Sequence, residues 1–240
     1  MKYSKGYLNY KIIKSMARFK FESPVLEVGC GMGDGMEAIA EYYNIKGVDL
    51  SDEAVSRCLE KRLDVKRDNF LNITENFNSI VCTYVLEHIK DDYAFVGHMY
   101  KILNDKGKVF IMVPSGKIMN DDLLCGHYRR YSREGIVRVL ERSNFNIETV
   151  EMFGYPIIYY TRLIMNFAYR LRVEKDLDLE TRTLRSSYEN PFDKTLCARV
   201  FARLSKNRFI SGLLMSILSL QDIFSNSNKG WAVVVVASKP

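Results

Sequence analysis

The sequence predicts an α/β domain with a largely parallel sheet, and three observations carry that prediction. First, Pro24-Val25-Leu26-Glu27-Val28 is a short apolar run that leads into Gly29, Gly31, Gly33 and Gly35, after which Met36, Ala38, Ile39 and Ala40 take up helical spacing. A strand feeding a glycine-rich turn and a helix N-terminus is a cradle for a nucleotide-type ligand, because the free amides and the helix dipole point the same way. Second, further apolar runs alternate with amphipathic segments, the pattern of strands buried on both faces and covered by helices. Third, 240 residues with 47% apolar and 27% charged content suffice for one sizeable core.

Composition also bounds the function. The five cysteines, Cys30, Cys58, Cys82, Cys125 and Cys197, are widely spread with no C-x-x-C pair, so they read as free thiols of a reducing, cytoplasmic compartment. The N-terminus has no apolar signal segment, and no apolar run reaches the roughly eighteen residues of a membrane span. The net charge of +6 is unevenly placed: residues 1–22 hold six Lys/Arg against one Glu, residues 157–228 hold eleven basic and seven acidic residues, and the remainder is net acidic. Basic character therefore lies outside the expected catalytic core, where it suits an anionic substrate, the inner membrane face or plain solvated helix surface. No RNA-binding module is recognisable, so no nucleic-acid partner is expected.

Tyr7, Leu8, Tyr10, Ile12, Ile13, Met16, Ala17 and Phe19 approximate a helical stripe, so residues 1–22 are expected as an N-terminal helix over the cleft or the sheet. Strands are expected at 25–28, 45–50, 63–66, 77–84, 108–113, 145–153 and 231–238. Helices are expected at about 35–43, 51–61, 91–103 and 132–143, with Ser51 or Asp52 and Ser132 as N-caps and a turn at 104–107. The core is then 23–154 plus 229–240, and 155–228 is a helical insertion larger than such a core needs.

Two ligands compete for the glycine turn. A dinucleotide fingerprint would want a third glycine at position 34, where Asp34 would face a pyrophosphate badly. The acid before the turn, Glu27, suits a ligand with a cationic end. The G-x-G-x-G pattern preceded by Glu27 resembles motif I of the class I S-adenosylmethionine-dependent methyltransferases, a resemblance that covers about residues 24–153 and the last strand. It implies a Rossmann-like seven-stranded mixed sheet, order 3-2-1-4-5-7-6, with the last strand antiparallel. It implies S-adenosyl-L-methionine as cofactor and methyl transfer to an O or N atom of a small-molecule, glycan or lipid-linked acceptor. A small phenolic acceptor and a non-catalytic cofactor-binding protein are the alternatives.

Asp49 stands about twenty residues after Gly29, at the tip of the second strand, where an acid meets ribose hydroxyls. Asp68 fits the family's adenine position, with Asn69 and Phe70 flanking the base. Gly29, Cys30, Gly31, Gly33, Leu50 and Tyr84, with Glu27, complete the expected cofactor contacts. The string Leu86-Glu87-His88-Ile89 resembles the segment that faces the acceptor in small-molecule and lipid-modifying members. His88 is the candidate general base, with orientation of Glu87 or the backbone as its other reading. Some ubiquinone-pathway O-methyltransferases carry a second acid three residues before the Glu and use a metal; Tyr84 stands there, so no metal is expected.

Gly126-His127-Tyr128-Arg129-Arg130-Tyr131 resembles a recurring segment of one methyltransferase subgroup. His127, Tyr128, Arg129, Arg130 and Tyr131 offer donors and aromatic faces to an anionic or glycan-like substrate, or else clamp the loop. The insertion is apolar over 155–172 and 209–224 and strongly charged over 174–190. A lid, a homodimer face and a peripheral membrane contact are its three readings.

Overall fold

The computed structural model describes residues 2–169, 179–186, 213 and 216–240. Cys197, most of the charged stretch at 174–190 and the start of the apolar stretch at 209–224 lie outside the described residues. Seven strands form one sheet: β1 (Val25–Val28), β2 (Ile45–Asp49), β3 (Val65–Arg67), β4 (Phe77–Thr83), β5 (Leu103–Pro114), β6 (Asn146–Phe153) and β7 (Ala232–Ser238). Their order is β3-β2-β1-β4-β5-β7-β6, and β7 runs antiparallel to both neighbours, as expected from the sequence. Chain order reverses between β1 and β4, the place where such sheets open a crevice beyond their carboxyl ends.

The helices are α1 (Lys2–Arg18), α2 (Asp34–Ala40), α3 (Asp52–Glu60), α4 (Asp92–Ile102), α5 (Asn120–Cys125), α6 (Arg133–Arg142), α7 (Ile157–Tyr169) and α8 (Leu179–Ser186). Alternation along the central strands sorts them into two layers. Ile80, Cys82, Val109, Ile111, Val113, Val233 and Val235 face one core with Phe95, Val96 and Met99 of α4 and Ile136 and Leu140 of α6. Val81, Phe110, Met112, Val234 and Val236 face the other with Tyr7, Ile12 and Met16 of α1, Met36 and Ile39 of α2 and Cys58 of α3. Ser51 and Ser132 cap α3 and α6, accepting from the amides of Ala54 and Gly135.

Two local expectations change. Residues 104–107 do not form a separate turn ahead of β5: the strand runs through them, but its pairing jumps from Phe77↔Leu103 to Ser79↔Lys108, with Lys106 at φ +62°. The turn-forming residues are absorbed as a bulge. Helix α5 is also unexpected; it depends on Asp122, which accepts the Met119 amide at its N-terminus, and on Gly126 in the left-handed region at its end. Among the described residues no helix is long and apolar enough to cross a membrane.

Helix α1 is fastened by polar as well as apolar contacts. Tyr7 is buried and stacks on Phe153 with ring centroids 5.1 Å apart, and its hydroxyl donates to Asp222 at 3.0 Å. Lys11, with 7% of its side chain exposed, donates to Glu151 at 2.7 Å and pairs with Asp222 at 3.3 Å. Removing one partner of a buried pair strands the other charges. Lys11→Ala should therefore lower stability by about 3 kcal/mol in urea unfolding. Arg18→Ala, which removes a 63% exposed partner of the same Glu151, should cost under about 1 kcal/mol. Equal losses would contradict this account of the α1 anchor.

Candidate active site

The site begins where β1 leaves the sheet. The Gly29 amide still donates to Val48 at 2.8 Å, after which Gly29, Gly31 and Gly33 adopt φ of +68°, +52° and +78°. A Cβ at Gly29 would lie 2.3 Å from Cγ2 of Val85, so both backbone angle and close packing demand glycine there. Asp49 ties the turn to β2: its Oδ2 accepts from the Gly31 amide at 2.9 Å and its Oδ1 from the Ser51 amide at 2.9 Å. The acid expected at the ribose thus also builds the turn. Asp34 opens α2 and pairs with Lys61 at 2.8 Å, outside the cleft wall.

A cleft of about 500 Å³ opens beyond the ends of β1, β2 and β4. Of the residues expected from sequence, Gly29, Gly31, Asp49, Leu50, Asp68, Asn69, Phe70, Tyr84, His88 and Tyr128 line it. Glu27, Cys30, Gly33, Glu87, His127, Arg129, Arg130 and Tyr131 do not. Val85, Leu71, Ile89, Phe95, Thr183 and Leu184 also line it and were not anticipated. Leu71, 47% exposed, directly follows the expected contact Phe70, and that adjacency is the signal that could have found it; Thr183 and Leu184 come from α8, far away in sequence.

Asp68 is engaged before any ligand arrives. Its Oδ1 accepts from the Asn69 amide at 2.8 Å and the Asn72 side chain at 3.0 Å, and its Oδ2 pairs with Lys66 at 2.6 Å. Those bonds, the Lys66 one foremost, hold its carboxyl below the usual range. Asn69 accepts the Leu71 amide and caps a short 3-10 turn, Phe70–Asn72. Phe70 is buried against Phe95, centroids 4.6 Å apart, and against His98, which bonds the Ile73 carbonyl as a packing residue.

Two carboxyls are buried without hydrogen-bond partners. Glu27 is 3% exposed beneath the turn, its Oε2 unpartnered; a Cβ at Gly35 would lie 2.5 Å from its Oε1, so Gly35 makes its room. Burial first, then Cys58 and the charges of Asp34 and Asp49, push Glu27 up to about 8. Glu87 is fully buried with neither oxygen bonded, and burial pushes it up to about 7 against the opposing pull of His127. His88 follows it in the short 3-10 turn Leu86–His88. Burial and the neighbouring His127, edge-on at 4.6 Å between centroids, pull His88 down to about 3. Burial thus favours the neutral imidazole, the form that accepts a proton or a hydrogen bond.

The loop after α5 divides its residues between two jobs. Arg129 pairs with Asp92 at 2.8 Å and donates to the Lys90 carbonyl, and the Tyr131 hydroxyl donates to the same Asp92 at 2.8 Å. Arg130 donates to Asp122 at 2.6 Å and to the Ser115 carbonyl at 3.1 Å, and stacks 4.2 Å from the centre of the Trp231 ring. The sequence offers these three as substrate contacts or as a loop clamp, and in the structure each has an internal partner, Asp92 of α4 or Asp122 of α5, that fastens the loop. Tyr128, 43% exposed, is the loop residue that reaches the cleft wall, while its amide holds the Glu87 carbonyl at 2.9 Å.

The raised Glu27 has a consequence in solution. Between its ordinary value of 4.5 and about 8, the unfolded chain gives up this proton while the folded chain keeps it, so stability falls as pH rises through that window. In Glu27→Gln the urea midpoint should fall less between about pH 5 and 8 than in wild type. An unchanged slope would contradict the buried, protonated state of Glu27.

Comparison with known proteins agrees with this architecture. Residues 5–150 match a family described as a methyltransferase domain. Phosphoethanolamine N-methyltransferase 2 of Caenorhabditis elegans is 30% identical over 116 residues, 43% of this chain and 26% of that protein. The mitochondrial ubiquinone biosynthesis O-methyltransferase of Saccharomyces cerevisiae is 24% identical over 139 residues, 52% of this chain and 43% of that protein. The chain thus spans from about a quarter to about half of the length of these curated relatives. Among solved structures, a SAM-dependent methyltransferase from Archaeoglobus fulgidus superposes with a TM-score of 0.60 at 15% identity, covering 99% of this chain and 96% of that one. Haemonchus contortus phosphoethanolamine N-methyltransferase 2, in complex with S-adenosyl-L-methionine, superposes with a TM-score of 0.58 at 19% identity, covering 97% of this chain and 52% of that one. By the match over residues 5–150, the chain belongs to the methyltransferase-domain family.

Proposed function

We propose that this chain is an S-adenosyl-L-methionine-dependent methyltransferase acting on an oxygen or nitrogen atom of a small-molecule, glycan or lipid-linked acceptor. The observation that carries this reading is the cleft itself, which joins the Asp49-clasped glycine turn at one end to His88 and Tyr128 at the other. The residues present fit the cofactor. Asp49 keeps a lone pair on each oxygen for ribose hydroxyls, and Phe70 and Leu71 give the base an apolar shelf. When bound, the cofactor supplies a methyl group activated on a sulfonium.

The chain's own contribution is positioning and exclusion of water. Tyr84, at φ +57° where β4 ends, lines the cleft in a conformation that non-glycine residues rarely adopt. Neutral His88 offers an acceptor orbital that can orient a hydroxyl or amine without competing for the sulfonium charge. Helix α8 acts as a lid: Thr183 and Leu184 join the wall, the Arg182 guanidinium donates to the Leu123 carbonyl at 2.8 Å, and the Thr183 hydroxyl donates to the Gly126 carbonyl at 3.3 Å. Relatives named for phosphoethanolamine and for ubiquinone synthesis support a small or lipid-linked acceptor.

Calorimetric titration with S-adenosylhomocysteine should give one site on the wild type. Asp49→Ala should weaken it at least tenfold while remaining folded by circular dichroism, because both the ribose acceptor and the clasp on Gly31 are lost. A folded wild type that takes up no S-adenosylhomocysteine would sink the proposal.

A further inference from the structure

Behind His88 the structure assembles a second constellation that the cleft does not use. Asp122 is 1% exposed at the start of α5. Its Oδ2 accepts from the Met119 amide at 2.5 Å and from Nε of Arg130 at 2.6 Å, and its Oδ1 lies 2.6 Å from Nδ1 of His127. Burial opposes its charge, but the bonds from His127 and Arg130 outweigh it and hold the carboxyl below its usual range. An ionised carboxylate accepts only, so Nδ1 of His127 must carry the proton that bridges them, and the other ring nitrogen is thereby assigned. That nitrogen, Nε2, lies 4.0 Å from Oε1 of Glu87, whose two oxygens are buried and unpartnered. A lone pair facing a buried carboxylate is unfavourable in low dielectric unless one proton is held between them.

We propose that Asp122 is a positioning residue for the acceptor end of the cleft: it fixes His127 with Nδ1–H bound inward and Nε2 toward Glu87, so that the Glu87–His127 pair behind His88 holds one exchangeable proton. The groups that face Glu87 are consistent with this. His127, Asp122 and Arg130 come from α5 and its loop, Tyr131 from the same loop, Cys82 from β4, and Tyr84 and His88 from the segment Glu87 belongs to. Among these described groups, His127 is the one whose ring nitrogen faces Glu87 while its hydrogen bond to Asp122 is made from the opposite nitrogen. The functional part of the inference rests on the methyl-transfer reading: an acceptor atom becomes cationic as it takes the methyl, and the charge left on Glu87 sets how far the protein favours that state.

The test begins without any activity. The sequence has three histidines, so imidazole nitrogens can be resolved in a long-range proton–nitrogen NMR spectrum of the whole chain. At a pH where His127 is neutral, the wild type should show the Nδ1–H form. In Asp122→Asn the amide oxygen must serve Arg130 and Met119, leaving its NH2 to meet Nδ1, so His127 should switch to the Nε2–H form. Glu87→Gln should leave the Nδ1–H form unchanged. A wild-type Nε2–H form, or a switch in Glu87→Gln, overturns the assignment, and these two spectra decide it even if Asp122→Asn fails to fold.

Turnover then tests the consequence. The kcat profile should have a limb near pH 7 that Glu87→Gln abolishes and that Asp122→Asn moves about one unit lower, a tenfold change in proton affinity, with S-adenosylhomocysteine affinity within about twofold. A limb unaffected by either substitution overturns the functional part, whereas failure of S-adenosylhomocysteine to bind counts against the methyltransferase reading and leaves the tautomer result standing. Added Mn2+ should leave His88 and His127 signals sharp. Selective broadening of both at substoichiometric Mn2+ would reassign the constellation to a divalent cation and overturn the proton pair.

Discussion

The whole site hangs on one carboxylate. Asp49 ends β2 with its two oxygens on the amides of Gly31 and Ser51, so one side chain joins the exits of two adjacent parallel strands. Bonds from amides to an ionised carboxylate stabilise by about 1.5–3 kcal/mol each when they are shielded, and Asp49 is 7% exposed. The clasp holds three glycines at positive φ in a turn that would otherwise sample many conformers, and so lowers the entropic cost of ordering it on a ligand. The reversal of strand order beside it supplies the space, and Val85, packed against Gly29, links the turn to the acceptor end.

Around that clasp the protein buries acids that it does not pair. Glu27 under the turn and Glu87 behind His88 each lack hydrogen-bond partners, and desolvation raises both toward neutrality. Unpaired buried polar groups cost stability, and they concentrate where a ligand or a proton completes them. Here they lie outside the cleft lining, one beneath the glycine turn and one next to His88. The basic residues behave oppositely: Arg129 and Arg130 are consumed by Asp92 and Asp122 and serve to hold the loop that carries Tyr128.

How much of this was legible in the sequence depends on the range of the interaction. The strands and the glycine turn could be read because each strand announces itself locally and the turn's role follows from residue types within a dozen positions, whereas the sheet order came only with the family resemblance. The bulge at 104–107 was missed because a turn and a strand irregularity use the same residues. Within the loop at 126–131, sequence offered substrate contact and structural clamp as equals. The clamp partners Asp92 and Asp122 could not be read there, because their proximity is set by the fold rather than by spacing. Asp122 itself was passed over because an acid in a polar stretch reads as solvated, and only the packing of α5 buries it. Thr183 and Leu184, which line the cleft, lie in a charged stretch with no local mark of a binding role.

The central claim is that the turn clasped by Asp49 is where S-adenosyl-L-methionine binds. Amide hydrogen exchange, followed by mass spectrometry with and without the cofactor, reads that surface directly. The account predicts slower exchange over residues 29–31, 49–51 and 68–71, together with the segment at 84–89, and no change over the β6 strand at 146–153. Protection confined to the insertion, or none at a saturating cofactor concentration, would contradict it.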